Sequence, residues 1–140
     1  MKKAIYACLW FNTEAAEAAA YYSSIFKDSR LISTNPMVTN FELNGTRFMA
    51  LNGQSQLPFN DSISLVVECE TQEEIDHYWN HLTKEGKPGQ CGWLKDKYGV
   101  SWQIVPTILG QLMSDSSRSE RVVKAFLQMT KFDIEKLKQA

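Results

Sequence analysis

The chain has 140 residues, of which 44% are hydrophobic and 22% charged, and its formal net charge is −1. That length suits one domain or two small halves sharing a core. The balanced charge offers no basic field for DNA or an anionic membrane, so a nucleic-acid partner is not expected. No apolar run approaches the roughly 20 residues of a membrane span.

In chain order, Ala4 to Phe11 read as a first strand. A charged helix pattern follows where a signal peptide would need its small-residue cleavage site, which points to a cytoplasmic protein. Asn12-Thr13 then cap a helix to about Phe26, with Ala15, Ala18, Ala19, Tyr22 and Phe26 on one narrow face. The alanines allow close approach to a sheet. Strands are expected at about Arg30 to Ser33, Met37 to Leu43 and Thr46 to Leu51, the last two joined by an Asn44-Gly45 hairpin. Asn52 to Asp61 read as a polar linker. The order then restarts: a strand over Ser62 to Cys69, and a helix from Thr71 to about Lys84 opened by a Thr71–Glu74 capping box. Ile75, Tyr78, Trp79 and Leu82 form that helix's apolar face. A loop over Glu85 to Gly92 leads to a second hairpin, Trp93 to Lys97 and Val100 to Val105. After Pro106 come a short helix over Thr107 to Met113, a helix opened by a Ser117–Glu120 capping box, and a last one capped by Asp133. This amphipathic tail either docks on its own domain or forms a dimer contact or pocket lid.

The second half repeats the first. "NGTRFMAL" (44–51) aligns with "YGVSWQIV" (98–105), "YACLWF" (6–11) with "SISLVV" (62–67), and Tyr22 with Tyr78 after a one-residue slip. Two β-α-β-β-β units are implied. Within each, alternate strand residues form one apolar set: Ala7, Leu9 and Phe11; Ile63, Leu65 and Val67; Trp102 and Ile104. The opposite sets mix polar and aromatic groups: Tyr6, Cys8 and Trp10; Ser62, Ser64 and Val66; Ser101, Gln103 and Val105. Either a solvated sheet face or a concave, partly apolar cavity fits that mixture, and Tyr6, Trp10, Cys8 and Met49 favour the cavity.

Several other features have bland readings. Cys8, Cys69 and Cys91 lack disulfide or zinc spacing and read as small core residues, with Cys91 the exception because Gly89 and Gly92 flank its turn. His77 and His81 stand four apart but face away from the helix's apolar side. Lys95-Asp96-Lys97 reads as a solvated edge, and "GKPGQCG" (86–92) as a loop able to hinge.

"CLWFNTEAAEAAAYYSSIF", "NGTRFMALNG", "CGWLKDKYGVSWQIVPTILGQL" and "LQMTKFDIEKL" resemble, along essentially the whole chain, the PhnB-like branch of the vicinal oxygen chelate superfamily. That superfamily includes glyoxalases, bleomycin-resistance proteins and dioxygenases. The resemblance implies an α+β fold: two tandem β-α-β-β-β modules, about 4–52 and 62–105, forming curved mixed sheets around a cavity. Residues 1–106 would make this domain and 107–140 a helical C-terminal extension. The branch often carries the description 3-demethylubiquinone-9 3-methyltransferase. The chain has no Gly-rich strand-to-helix loop with a following acidic residue for S-adenosylmethionine.

Metal-dependent relatives present four ligand slots, which carry over onto Tyr6, Met49, Ser62 and Gln103. A phenol, a thioether, a hydroxyl and one neutral amide are poor donors for zinc, nickel or iron, so no metal or other cofactor is expected. What the resemblance then implies is a homodimer that binds a small molecule through Tyr6, Trp10, Met49, Ser62 and Gln103. Gln103 could orient or polarise a ligand but not act as a general base, and it could equally satisfy a buried backbone group. An enzyme acting on a small oxygenated or quinone-type substrate is the alternative.

Overall fold

Strand alternation and one crossover helix shape each half of the chain in the same way. The computed structural model describes residues 2–140, which fall into two units, one ending at Leu57 and the other running from Pro58 to Ala140. The first contains β1 (Ala7–Phe11), α1 (Ala15–Ile25), β2 (Ser29–Thr34), β3 (Val38–Leu43) and β4 (Thr46–Asn52). Its sheet order is β1-β4-β3-β2, with β1 parallel to β4 and the other pairs antiparallel. Parallel pairing of the first strand needs a crossover, and α1 supplies it. Ala15, Ala18, Ala19, Tyr22 and Ile25 are buried on one side of α1. The Tyr22 ring stacks on Phe41 at 6.3 Å, and Phe41 on Phe48 at 5.6 Å. At the hairpin, Asn44 and Gly45 have φ of 50° and 82°, as a two-residue primed turn requires.

The second unit contains β5 (Leu65–Cys69), α2 (Gln72–Thr83), β6 (Lys87–Pro88), β7 (Trp93–Lys95) and β8 (Ser101–Pro106). Three helices follow, α3 (Ile108–Ser114), α4 (Ser119–Phe126) and α5 (Ile134–Gln139). The sheet order is β5-β8-β7-β6, again with the first strand parallel to the last. The fold is therefore α+β, two mixed sheets with covering helices and a helical C-terminal end.

Local hydrogen bonding moves several boundaries from their expected places. Asn60 Oδ1 accepts from the Ser62 N–H at 2.9 Å and from the Ser62 hydroxyl. This side-chain turn delays the strand from Ser62 to Leu65, and Ile63, expected in the core, is exposed. The α1 start is not capped by Asn12 or Thr13: the Ala15 N–H donates to Asn52 Oδ1, 37 residues on, at 2.8 Å. The Ser117–Glu120 box does not form, because Asp115 Oδ1 accepts from the Ser117 N–H at 3.1 Å and hydroxyl at 2.7 Å. The Thr71 cap and the Asp133 cap do form. β6 replaces part of the expected 85–92 loop.

Asp96 is the largest departure. It is 3% exposed, not part of a solvated edge. Its Oδ1 accepts from the Tyr98 and Val100 N–H groups at 2.9 and 3.1 Å, and its Oδ2 from the Trp102 indole at 2.9 Å. One carboxylate thus ties the β7–β8 turn to the core face of β8. Asp96→Ala leaves these donors buried without an acceptor, and should lower unfolding stability by about 3 kcal/mol. Trp102→Phe should cost less, and the double variant less than the two costs added together. Chemical denaturation measures all three; strict additivity would mean that the indole–carboxylate bond carries nothing.

The C-terminal helices dock within the second unit. The Cys91 and Gly92 N–H groups donate to the Met129 and Thr130 carbonyls at 2.8 and 2.7 Å. Gln72 donates to the Phe132 carbonyl and accepts from the Ile134 N–H. Lys131 Nζ lies 2.8 Å from Asp76 Oδ1. Lys131, then Gln72, hold the Asp76 carboxyl below its ordinary 3.8. A depressed folded value means that the stabilisation is complete above the unfolded value and is lost as pH falls through the folded one. Acid should therefore loosen this docking below about pH 4. Asp76→Asn should flatten the fall of thermal midpoint over that range, and an unchanged acid limb would exclude Asp76 as its source.

Candidate functional site

With helices over one face of each sheet, the chemistry lies on the other. In the first unit Leu9 and Phe11 are buried, while Cys8 and Trp10 are exposed. The register places Cys8 beside Met49 and Trp10 beside Leu51, and Met49 opposite Asn40. Tyr6 precedes β1, and the Arg47 guanidinium lies over its ring at 4.1 Å. Arg47 Nη2 donates to Asn40 Oδ1 at 3.1 Å, and Asn40 Nδ2 to the Ser33 hydroxyl at 3.1 Å. Arg47 Nε is buried and has no hydrogen-bond partner among the described residues. On the same face Glu42 accepts from Arg30 Nη2 at 3.0 Å and from its Nε at 3.2 Å. That pairing holds the Glu42 carboxyl below its usual range.

Trp10 is 43% exposed yet closely seated. A Cβ added at Gly53 would fall 1.5 Å from the indole Nε1, so only glycine leaves room for the ring. Cys8, read from sequence as a core residue, lies on the open side, and burial pushes its thiol above the ordinary value. The buried Cys69 thiol, by contrast, is pushed up to about 12.

In the second unit Gln103 pairs with Val66 on β5 and Trp93 on β7. Its Nε2 donates to the Ser64 hydroxyl at 2.9 Å. Leu65 pairs with Trp102 as Ala7 pairs with Phe48. By this register Ser64, not Ser62, is the counterpart of Tyr6. "YACLWF" therefore matches "SLVVEC" (64–69), two residues beyond the expected alignment. The helix match shifts as well: buried Ala18, Tyr22 and Ile25 correspond to Ile75, Trp79 and Leu82, so Tyr22 answers Trp79 rather than Tyr78. Ser62 remains in its turn beside Asn60. Ser101 is buried, and its hydroxyl donates to Asp61 Oδ1 at 2.7 Å.

Arg47, Asn40, Ser64 and Trp93 are polar or aromatic open-face residues that the sequence reading did not single out. The signal for Arg47 was its strand parity: two residues before Met49, it shares that face. On α2 the His81 ring donates through Nδ1 to the His77 backbone carbonyl at 2.7 Å. Among the described residues no group of three or more His, Cys, Asp or Glu side chains could hold a metal ion.

Duplicated sheets with the first strand parallel to the last, one crossover helix each and a chemically mixed open face define a protein of the glyoxalase/bleomycin-resistance type, the vicinal oxygen chelate class. FosX, a fosfomycin resistance protein from Listeria monocytogenes, superposes with a TM-score of 0.59 at 16% identity, over 80% of this chain and 96% of that one. A glyoxalase-related enzyme from Fulvimarina pelagi gives 0.53 at 14% identity, over 75% and 89%. The PhnB protein from Bacillus cereus, described as a candidate 3-demethylubiquinone-9 3-methyltransferase, gives 0.69 at 32% identity, over 75% and 100%. The model of the 3-demethylubiquinone-9 3-methyltransferase family matches residues 3–105. The chain belongs to this PhnB-like family. No functionally curated protein matches it.

That FosX structure is a complex with Mn(II) and sulfate. The side chains here do not fit such an ion. The first unit offers a phenol under a guanidinium and a thioether, the second an amide bonded to a hydroxyl, and none of these is a carboxylate or imidazole.

Gly53→Ala should unseat the Trp10 indole while changing stability by less than about 1 kcal/mol, because the site is partly exposed. The readout is the Trp10 component of fluorescence, obtained by subtracting the matching Trp10→Phe spectrum. A red shift is expected; an unaltered component would mean that Gly53 does not seat the ring.

Proposed function

We propose that the chain is a small-molecule-binding member of its family that works without a metal ion, as a cytoplasmic homodimer. Residues 1–106 act as the tandem binding domain and 107–140 as a helical extension that stiffens the Cys91–Gly92 turn. The ligand-contacting groups are Tyr6, Trp10 and Met49 on the first unit's open face and, on the second's, Gln103 with Ser64 in the place first expected of Ser62. No helix among the described residues is long and apolar enough to cross a membrane, and the near-neutral charge gives no pull toward nucleic acid.

The observation that carries this reading is the joining, on one sheet face, of exposed aromatics with a fixed cation. Tyr6 and Trp10 offer flat apolar area. Arg47, held between Tyr6 and Asn40, keeps a buried Nε with no acceptor. A buried unpaired donor costs about 1–3 kcal/mol, so a ligand acceptor placed there would recover part of it. Gln103 and Ser64 form a second polar pair whose amide oxygen can accept. These groups orient and discriminate; none is a nucleophile or a base near neutral pH.

The family's methyltransferase description favours a second reading, an enzyme acting on a small oxygenated or quinone-type substrate. Thermal-shift screening of a chemically diverse panel, with metal analysis of the untagged protein, separates the two. Binding without metal predicts substoichiometric metal and stabilisation by one compound class, lost in Trp10→Ala. Stoichiometric metal that disappears in Gln103→Ala would overturn the binding reading.

A further inference from the structure

A groove of about 530 Å³ opens in the second unit, with Asp61, Lys87, Pro88, Gln90, Trp93 and Lys95 in its wall. Its size lies within the range of small-ligand sites. Strand register puts its chemistry in order. Lys87 on β6 stands directly opposite Lys95 on β7, and Lys95 opposite Ser101 on β8. Trp93, one step along the same face, stands opposite Gln103. The groove therefore continues the open face that carries Gln103.

Two like charges directly opposite across a ladder destabilise it. Only one carboxylate in the wall answers them. Asp61 Oδ1 lies 3.7 Å from Lys95 Nζ, and the same oxygen accepts the Ser101 hydroxyl at 2.7 Å. Lys87 has no ion pair among the described residues, and the Gln90 side-chain amide is likewise unbonded. The wall thus has two cations, one anion, an unused amide and a half-buried indole. We infer that it takes a small organic acid with one anionic group on a flat apolar body. Lys87 and Lys95 straddle the anion, the Gln90 amide donates to it, and Trp93 stacks on the body. The inference rests on the reading of the open face as a small-molecule site and assigns that ligand's class.

The test is titration of the full chain with 2-naphthoate, and with 2-naphthamide as the uncharged isostere. Indole ¹H–¹⁵N spectra are recorded, with the Trp93 signal assigned by Trp93→Phe. Naphthoate should shift the Trp93 signal with a Kd of about 1 mM or below. The amide should bind about tenfold more weakly, and added salt should weaken only the acid. Lys87→Gln and Lys95→Gln should each weaken naphthoate about fivefold, the scale of one exposed charge contact. Lys87→Gln removes the repulsion without breaking an ion pair, so it should not lower the thermal midpoint, whereas Lys95→Gln also gives up the Asp61 contact. Equal affinity for acid and amide, or no shift at Trp93, would overturn the inference. So would loss of binding in Trp10→Ala with Lys87→Gln silent, but that outcome would leave the broader binding reading standing on the first unit's face.

Discussion

Parallel pairing of the first strand with the last is the constraint on which each unit depends. It cannot be made by a tight turn, so a helix must carry the chain across and come to rest on one face of the sheet. Once α1 seals Leu9, Phe11, Phe41 and Phe48, every residue of opposite parity is committed to the other face. Cys8, Trp10, Met49 and Arg47 follow from that choice, as do Val66, Gln103 and Trp93 under α2. The open face is a by-product of covering the other one, and its side chains are free of the packing demands that govern the core. Functional chemistry can be written there without disturbing the packing of the covered face.

The same logic explains what was legible in the sequence. The buried set needs volume and apolarity at period two in strands and 3.6 in helices, and that pattern is strong. It located all five longer elements of the first unit, as well as β5, α2 and β8. What it missed came from single polar atoms. Asn60 holds Ser62 in a turn, Asn52 caps a helix 37 residues away, and Asp115 outcompetes a capping box. Each is one hydrogen bond from an Asn or Asp, residues whose short side chains compete with backbone partners at several offsets. Sequence spacing does not reveal which offset wins.

The site was legible in parity but not in register. Aligning the repeats by similarity made Ser62 the counterpart of Tyr6, and both candidate segments begin with Ser. Strand pairing gives that place to Ser64, whose hydroxyl accepts from the Gln103 amide, and a shift of two residues keeps the same face. That is why the expected chemistry, a hydroxyl beside the amide, survived an alignment error. A shift of one would have replaced it with Ile63 or Leu65. Arg47 and Lys95 escaped notice for another reason: charged residues near a hairpin end usually read as solvated, and only the pairing shows what stands opposite them.

Charge placement on the two open faces then follows different rules. In the first unit the cross-strand partners Glu42 and Arg47 are opposite in sign, and Arg30 and Tyr6 extend the row at either end. Each charge has a neighbour that offsets it, so the row is close to self-satisfied and leaves mainly Arg47 Nε unmet. In the second unit the corresponding row runs Lys87, Lys95 and Ser101, with Asp61 supplied from outside the sheet. Here the sign does not alternate and the compensation is shared. A duplicated scaffold can keep the same strand order in both halves while one face alternates its charges along the row and the other keeps a local excess of positive charge where Lys87 faces Lys95. Such an excess lowers stability slightly and is tolerated because the edge strand β6 is two residues long and open to water, where counter-ions screen it. A ligand bearing a single negative group would replace that screening with direct contact at Lys87 and Lys95.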